Sequence, residues 1–219
     1  MTRDYYKGKH KYVKVGSDCV LYHAYWDGTA IDHSIYGHDG TVVGGGYVEN
    51  GVHLDGVDDY IDCTNLTEID GINKMTIFEW AYNTRDSANE VHIIRDGSFY
   101  LTNYLGGPFI TFYRYSGGAI YNKVGTMPED AWQLYTIVYD GTQPSGSMIT
   151  IYLNNVDQSF ALASGSDAIT LGDGSGSLFI GCYLGNILNA HITVGEFLIF
   201  TDVVDRTAYY NATKARYGL

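Results

Sequence analysis

From residue 21 to residue 200 the chain alternates short β-branched and aromatic runs with Gly-, Asn- and Asp-rich breaks, with no helical spacing between them. The runs are LYHAYW (21–26), TVVGGGYV (41–48), VHLD (52–55), DYIDC (59–63), MTIFEWAYN (75–83) and VHIIRDGSFYLTNY (91–104). PFITFYRY (108–115), WQLYTIVYD (132–140), MITIYLN (148–154), SLFIGCYL (177–184) and HITVGEFLIF (191–200) continue the series. Many short strands at regular spacing bury a core as an antiparallel sandwich or barrel. Two hairpins are legible inside the series. Asn154-Asn155 sits between apolar-alternating arms and tolerates the positive φ of a type I′ turn, and Asp96-Gly97 divides IIRDGSFYL. The end differs in character. DVVDRTAYYNATKARYGL carries apolar residues at helical spacing, Lys and Arg late and Gly218 as a stop, which predicts one C-terminal helix within 202–217.

A length of 219 residues is within the range of one undivided all-β domain and ample for a sizeable core. Residues 1–18 are polar and basic and read as an arm or edge strand, with the domain proper over 19–219. The net charge of −12, from 25 acidic against 13 basic residues, argues against nucleic acid and anionic membranes as partners. It leaves neutral sugars, cations and protein surfaces. The basic MTRDYYKGKHKYVKVG start has no apolar core of the signal-peptide kind, and no apolar run reaches the length of a membrane span. Cys19, Cys63 and Cys182 are odd in number, widely spaced and without a CxxC pair, which argues against structural zinc. One disulfide plus a free thiol, or three buried thiols, both fit. The 21 tyrosines are read first as strand packing, and in an exposed subset as stacking platforms for pyranose rings.

The stretch 26–61, WDGTAIDHSIYGHDGTVVGGGYVENGVHLDGVDDYI, holds two acidic, glycine-rich turns. Short carboxylates separated by glycines bend the backbone tightly and aim several oxygens at one point, as calcium requires. Asp27, Asp32 and Asp39 are the candidate ligands. The same residues also serve plain Asx turns. His33 and His38 flank the loop and read as solvated, and Asp58-Asp59 reads as a hairpin or edge-strand device.

Taken in order, the landmarks resemble the laminin G-like, concanavalin A-like jelly-roll superfamily, especially its microbial and phage-borne branch. The resemblance rests on WDGTAIDHSIYGHDGT, on VHLDGVDDYIDC, on the tryptophan strands around Trp80 and Trp132, and on VGEFLIF followed by a helix ending KARYGL. It spans roughly 19–219, with one departure: Ile35 stands where the family carries glycine after the serine. The resemblance implies an all-β, antiparallel two-sheet jelly-roll sandwich with a short C-terminal helix. It further implies a structural calcium where the first loop meets the last strand, with Glu196 as a fourth partner. Ligand would then bind at the rim loops or on a concave face lined by Tyr100, Tyr104, Tyr113, Tyr115 and Tyr121. Strand alternation puts Tyr113 and Tyr115 on one face and Phe112 on the other.

The superfamily also hosts glycosidases and lyases. Glu68-Ile69-Asp70-Gly71-Ile72-Asn73 begins the laminarinase-type E-x-D-x-x-E strand and fails it, since Asn73 stands where the acid belongs. No Gln-x-His lyase strand, no G-x-S-x-G and no P-loop occurs. The sequence therefore points to a non-catalytic carbohydrate-binding or adhesion module, extracellular or virion-associated. A sugar-free structural role in a virion or a homo-oligomer is the alternative, and a polysaccharide-active enzyme the third.

Overall fold

The structure, a computed structural model, describes residues 11–84, 90–104, 109–114, 119–124, 128–159, 161–164, 170–174, 176–183 and 188–219; for 103–104, 109–114, 119–124 and 161–164 it describes the backbone alone. The first half of the chain contributes β1 (Cys19–Ala24), β2 (Thr41–Val43), β3 (Gly46–Val48), β4 (Gly51–Asp55), β5 (Tyr60–Asp62), β6 (Lys74–Asn83), β7 (Glu90–Arg95) and β8 (Phe99–Tyr104). There follow β9 (Phe109–Arg114), β10 (Ala119–Val124), β11 (Trp132–Asp140), β12 (Ile149–Leu153), β13 (Val156–Asp157), β14 (Ala161–Ser164), β15 (Leu178–Ile180) and β16 (His191–Phe200). One helix, α1 (Arg206–Thr213), and a 3-10 turn over Lys214–Tyr217 close the chain. Among the described residues no helix is long and apolar enough to cross a membrane.

These strands form two antiparallel sheets. One runs β13-β12-β11-β6-β16-β4-β3, with β1 also paired to β16; the other runs β14-β10-β9-β8-β7-β15-β5-β2. The predicted all-β, two-sheet architecture with one C-terminal helix is what the chain adopts. The Asn154-Asn155 turn has positive φ at both residues, 47° and 69°, as its type requires. Two strands have no clear signature in the sequence: β10, which carries Asn122 and Lys123 within it, and the four-residue β14. The run 41–48 is split because Gly44 sits at φ 74°, where the Asp59 carboxylate packs too closely for a Cβ.

Period-2 alternation explains why β6 and β16 read as nearly continuous apolar runs. Met75, Ile77 and Ala81 of β6 enter the core between the sheets with Ile137, Phe197, Ile199, Ile93 and Leu101. Phe78 and Trp80 point the other way, beneath α1, where they join Trp26, Leu198, Tyr209 and Tyr217. Both faces of this sheet's centre are therefore buried. Val13 and Val15 of the N-terminal arm pack at the edge of the second cluster.

Candidate functional site

Residues 28–40 leave β1 and fold back on it. The His33 amide donates to the Tyr22 carbonyl at 2.8 Å and the Gly40 amide to Ala30 at 2.7 Å. Asp32 organises this return. Its Oδ1 accepts from the amides of Tyr22 (2.9 Å) and Ser34 (2.8 Å), and its Oδ2 from the Ser34 hydroxyl (2.6 Å) and the His38 amide (2.8 Å). Burial pushes the carboxyl up, but the Ser34, Tyr22 and His38 donors outweigh it and hold it below the usual carboxylate range. Asp39 accepts from the Asp32 amide at 2.9 Å. Asp27 accepts from Thr29, from the Tyr12 hydroxyl at 2.8 Å and from His33 Nε2 at 3.1 Å. Burial raises it as well, and His33, Thr29 and Tyr12 together bring it below the ordinary value.

The first turn meets the last strand, as the calcium expectation requires, but through an indole. Trp26 Nε1 donates to Glu196 Oε1 at 2.6 Å, and the Tyr209 hydroxyl donates to Oε2 at 2.6 Å. Arg216 forms an ion pair with the same carboxylate and lies 4.7 Å over the Trp26 ring. Both Asp32 and Glu196 therefore hold protein donors on each of their oxygens, and calcium at this loop would have to displace them. Among the described residues, acidic oxygens converge within 4.8 Å at Asp55, Asp58 and Asp59, in the turn between β4 and β5. There the Asp59 carboxylate caps the Asp55 amide at 3.0 Å, the work of a turn residue. His33 and His38 go to different carboxylates, Asp27 and Glu68, both at 3.1 Å.

The return of 28–40 also builds one wall of an open pocket of about 670 Å³ at the rim of the sandwich. Val20 and Tyr36 line it on one side, Glu68, Gly71, Ile72 and Asn73 on another, and Thr170 and Thr201 complete it. Tyr36 is 41% exposed and is fixed at both ends: its hydroxyl donates to the Ser17 carbonyl at 3.0 Å and its amide to the Ser34 hydroxyl at 3.1 Å. Its ring stacks on His38 with an interplanar angle of 7°. His38 in turn contacts Glu68, and its carbonyl accepts from His23 Nε2 at 2.8 Å. A carbonyl only accepts, so His23 carries its proton on Nε2, and burial lowers its pKa and keeps it neutral. Its Nδ1 is then the acceptor for the Tyr25 hydroxyl at 2.9 Å.

The segment 65–73, which supplies Glu68, Gly71, Ile72 and Asn73 to this lining, is braced by Arg95. This fully buried guanidinium sits 2.7 Å from Asp70 and 3.2 Å from Asn65, and the Gly174 amide adds a 3.0 Å bond to Asp70. Ile72 and Asn73 carbonyls accept from Leu171 and Gly141. An aromatic face thus stands beside a carboxylate, an amide and two hydroxyls on a braced frame, the mixture that recognises a polyhydroxylated ring. The segment that imitates a glycosidase strand is a 3-10 turn (Thr67–Ile69) and loop, and it supplies half of this pocket.

Tyr100 of β8 is half-buried and meets the Tyr183 ring edge-on at 6.3 Å. Register pairs Tyr100 with Tyr113, and Tyr121 with Phe112, which itself pairs with core residue Leu101. The side chains of Tyr104, Tyr113 and Tyr121, and Tyr115 as a whole, lie outside the described residues. Cys19, Cys63 and Cys182 are free and buried. Cys63 Sγ lies 3.8 Å from His23 Nδ1, but burial pushes its thiol far up, so no thiolate nucleophile forms there. Glu79 and His92 face each other at 3.6 Å between the sheets, both wholly enclosed.

In sequence, the chain matches no family model and no curated protein. In fold it is similar to domain 4 of AbnA, an extracellular GH43 arabinanase of Geobacillus stearothermophilus solved with arabinotriose. The TM-score is 0.63 at 12% identity over 89% of this chain and 97% of that one. The botulinum neurotoxin serotype D ligand-binding domain, solved with N-acetylneuraminic acid, gives 0.67 at 13% identity; 91% of this chain covers 51% of it. Trypanosoma rangeli sialidase, solved with sialic acid, gives 0.59 at 11% identity over 91% of this chain and 33% of that one. The chain thus spans about half of the toxin domain and a third of the sialidase. What it shares with all three is the all-β, two-sheet sandwich.

Proposed function

We propose that the protein is a non-catalytic carbohydrate-binding module of the laminin G-like, concanavalin A-like kind, which takes its sugar in the rim pocket between Tyr36 and Glu68. The observation that carries this reading is the pocket itself: an exposed, hydrogen-bonded tyrosine that shares one lining with a carboxylate and with Asn73, Thr170 and Thr201. Support also comes from two fold neighbours: the arabinanase domain, solved with arabinotriose, and the toxin ligand-binding domain, about half of which this chain covers, solved with N-acetylneuraminic acid. An extracellular or virion-borne adhesin is the setting that such a module suits.

A glycan array tests the reading, with Tyr36→Ala as the matched control. Stacking of a sugar on an aromatic ring contributes on the order of 1 kcal/mol beyond area burial, so the variant should bind at least about fivefold more weakly. Binding that survives Tyr36→Ala unchanged would remove the pocket from the reading. No glycan bound at high protein concentration, together with a closed symmetric oligomer in solution, would replace it with an assembly role.

A further inference from the structure

Resting on the glycan-binding reading, we propose that the rim pocket admits uncharged saccharides and turns away those bearing a carboxylate or sulfate. Among the described residues, the one charged side chain in its lining is Glu68, about one-quarter exposed, and a carboxylate accepts hydrogen bonds from hydroxyls without donating any. Asn73, Thr170 and Thr201 can each donate or accept a hydrogen bond, so they suit either partner. A neutral sugar offers hydroxyl donors to Glu68. An acidic sugar offers oxygens that only accept, and it sets like charges face to face in a concave site.

The cations that could reverse this are engaged elsewhere. Among the described residues no lysine or arginine lines the pocket. Lys74 follows Asn73 but lies 3.8 Å from Asp202, itself next to Thr201 in the chain, so this flank is neutralised. Arg95, which braces the segment 65–73, is fully buried and held by Asp70. His38 is not part of the lining; its Nε2 lies 3.1 Å from Glu68 Oε2. At longer range the net charge of −12 repels an anionic glycan on approach. Sandwiches of this kind carry many unrelated sites, so the preference is argued from the lining and not from the fold.

The test is a set of matched glycan pairs, each neutral oligosaccharide beside its sialylated or sulfated form, with lactose and 3′-sialyllactose titrated calorimetrically. Neutral members should bind at least about tenfold more tightly than their acidic partners, with a gap that narrows as salt is raised. Glu68→Gln should weaken neutral binding and bring the two members within about threefold of each other. Acidic members bound as well as or better than neutral ones would overturn this inference and leave glycan binding standing. Discrimination untouched by Glu68→Gln would place the filter elsewhere and overturn its assignment to this pocket. Silence across every glycan, neutral and acidic, would instead sink the binding reading beneath it.

Discussion

Asp32 illustrates how one short side chain can replace a stretch of regular structure. Four donors from Tyr22, Ser34 and His38 converge on its two oxygens, and with them the chain turns back from β1 and delivers Tyr36 and His38 to the pocket. Removing it strands buried amides, each of which costs on the order of 1–3 kcal/mol. Asp32→Ala should therefore lower stability by about 2 kcal/mol or more and weaken glycan binding with it. Because protein donors fill both oxygens, the loss measured in urea should be the same in calcium and in EDTA. A loss confined to calcium buffer would instead restore the ion cage. The sequence showed that Asp27, Asp32 and Asp39 form a tight acidic turn. It could not show whether their oxygens end on an ion or on amides, because Tyr22 and His38 come from outside the Asp32-x-Ser34 motif.

At the scale of elements, the C-terminal helix is legible and its anchorage is not. Apolar spacing and the Gly218 stop locate it, and Gly218 does sit at φ 80°. Asp205 caps it, accepting from the amides of Thr207 and Ala208 at 3.0 and 3.1 Å. What ties it to the sheet is Glu196, which the resemblance implies as a metal partner and which here accepts from Trp26 and Tyr209 and pairs with Arg216. Glu196→Gln leaves the Arg216 guanidinium largely buried without its counter-charge. Removal of one partner from such a pair typically costs about 3–5 kcal/mol, whereas Asp205→Ala at the exposed cap should cost only about 1 kcal/mol. Chemical denaturation of both variants checks the contrast. Similar losses would mean that the Glu196 cluster is hydrated and contributes little. No local pattern announces this pairing, since Trp26 and Glu196 are 170 residues apart.

For the whole molecule, acid is the sensitive direction. Asp27 and Asp32 both have folded-state pKa values below the ordinary aspartate value of 3.8, so each favours the folded chain when ionised. Their contribution is complete above 3.8, the unfolded value, and is lost as pH falls through the lower folded values. The melting temperature should thus hold near neutrality and drop on acidification below about pH 4, more gently in an Asp27→Asn, Asp32→Asn double variant. Identical profiles for the variant and the parent would show that these carboxyls are not linked to folding. Most of the strands, the Asn154-Asn155 hairpin and the terminal helix were determined by the sequence itself, written in neighbours two, three or four residues apart, where alternation and turn chemistry act; the acidic charge follows from composition. The pocket was decided only by the tertiary structure: Val20 comes from β1, and Tyr36, Glu68, Asn73, Thr170 and Thr201 come from connecting segments spread over most of the chain. Each segment alone reads as surface, and they acquire a common chemistry only because sheet pairing and the Arg95–Asp70 brace bring their ends to one rim.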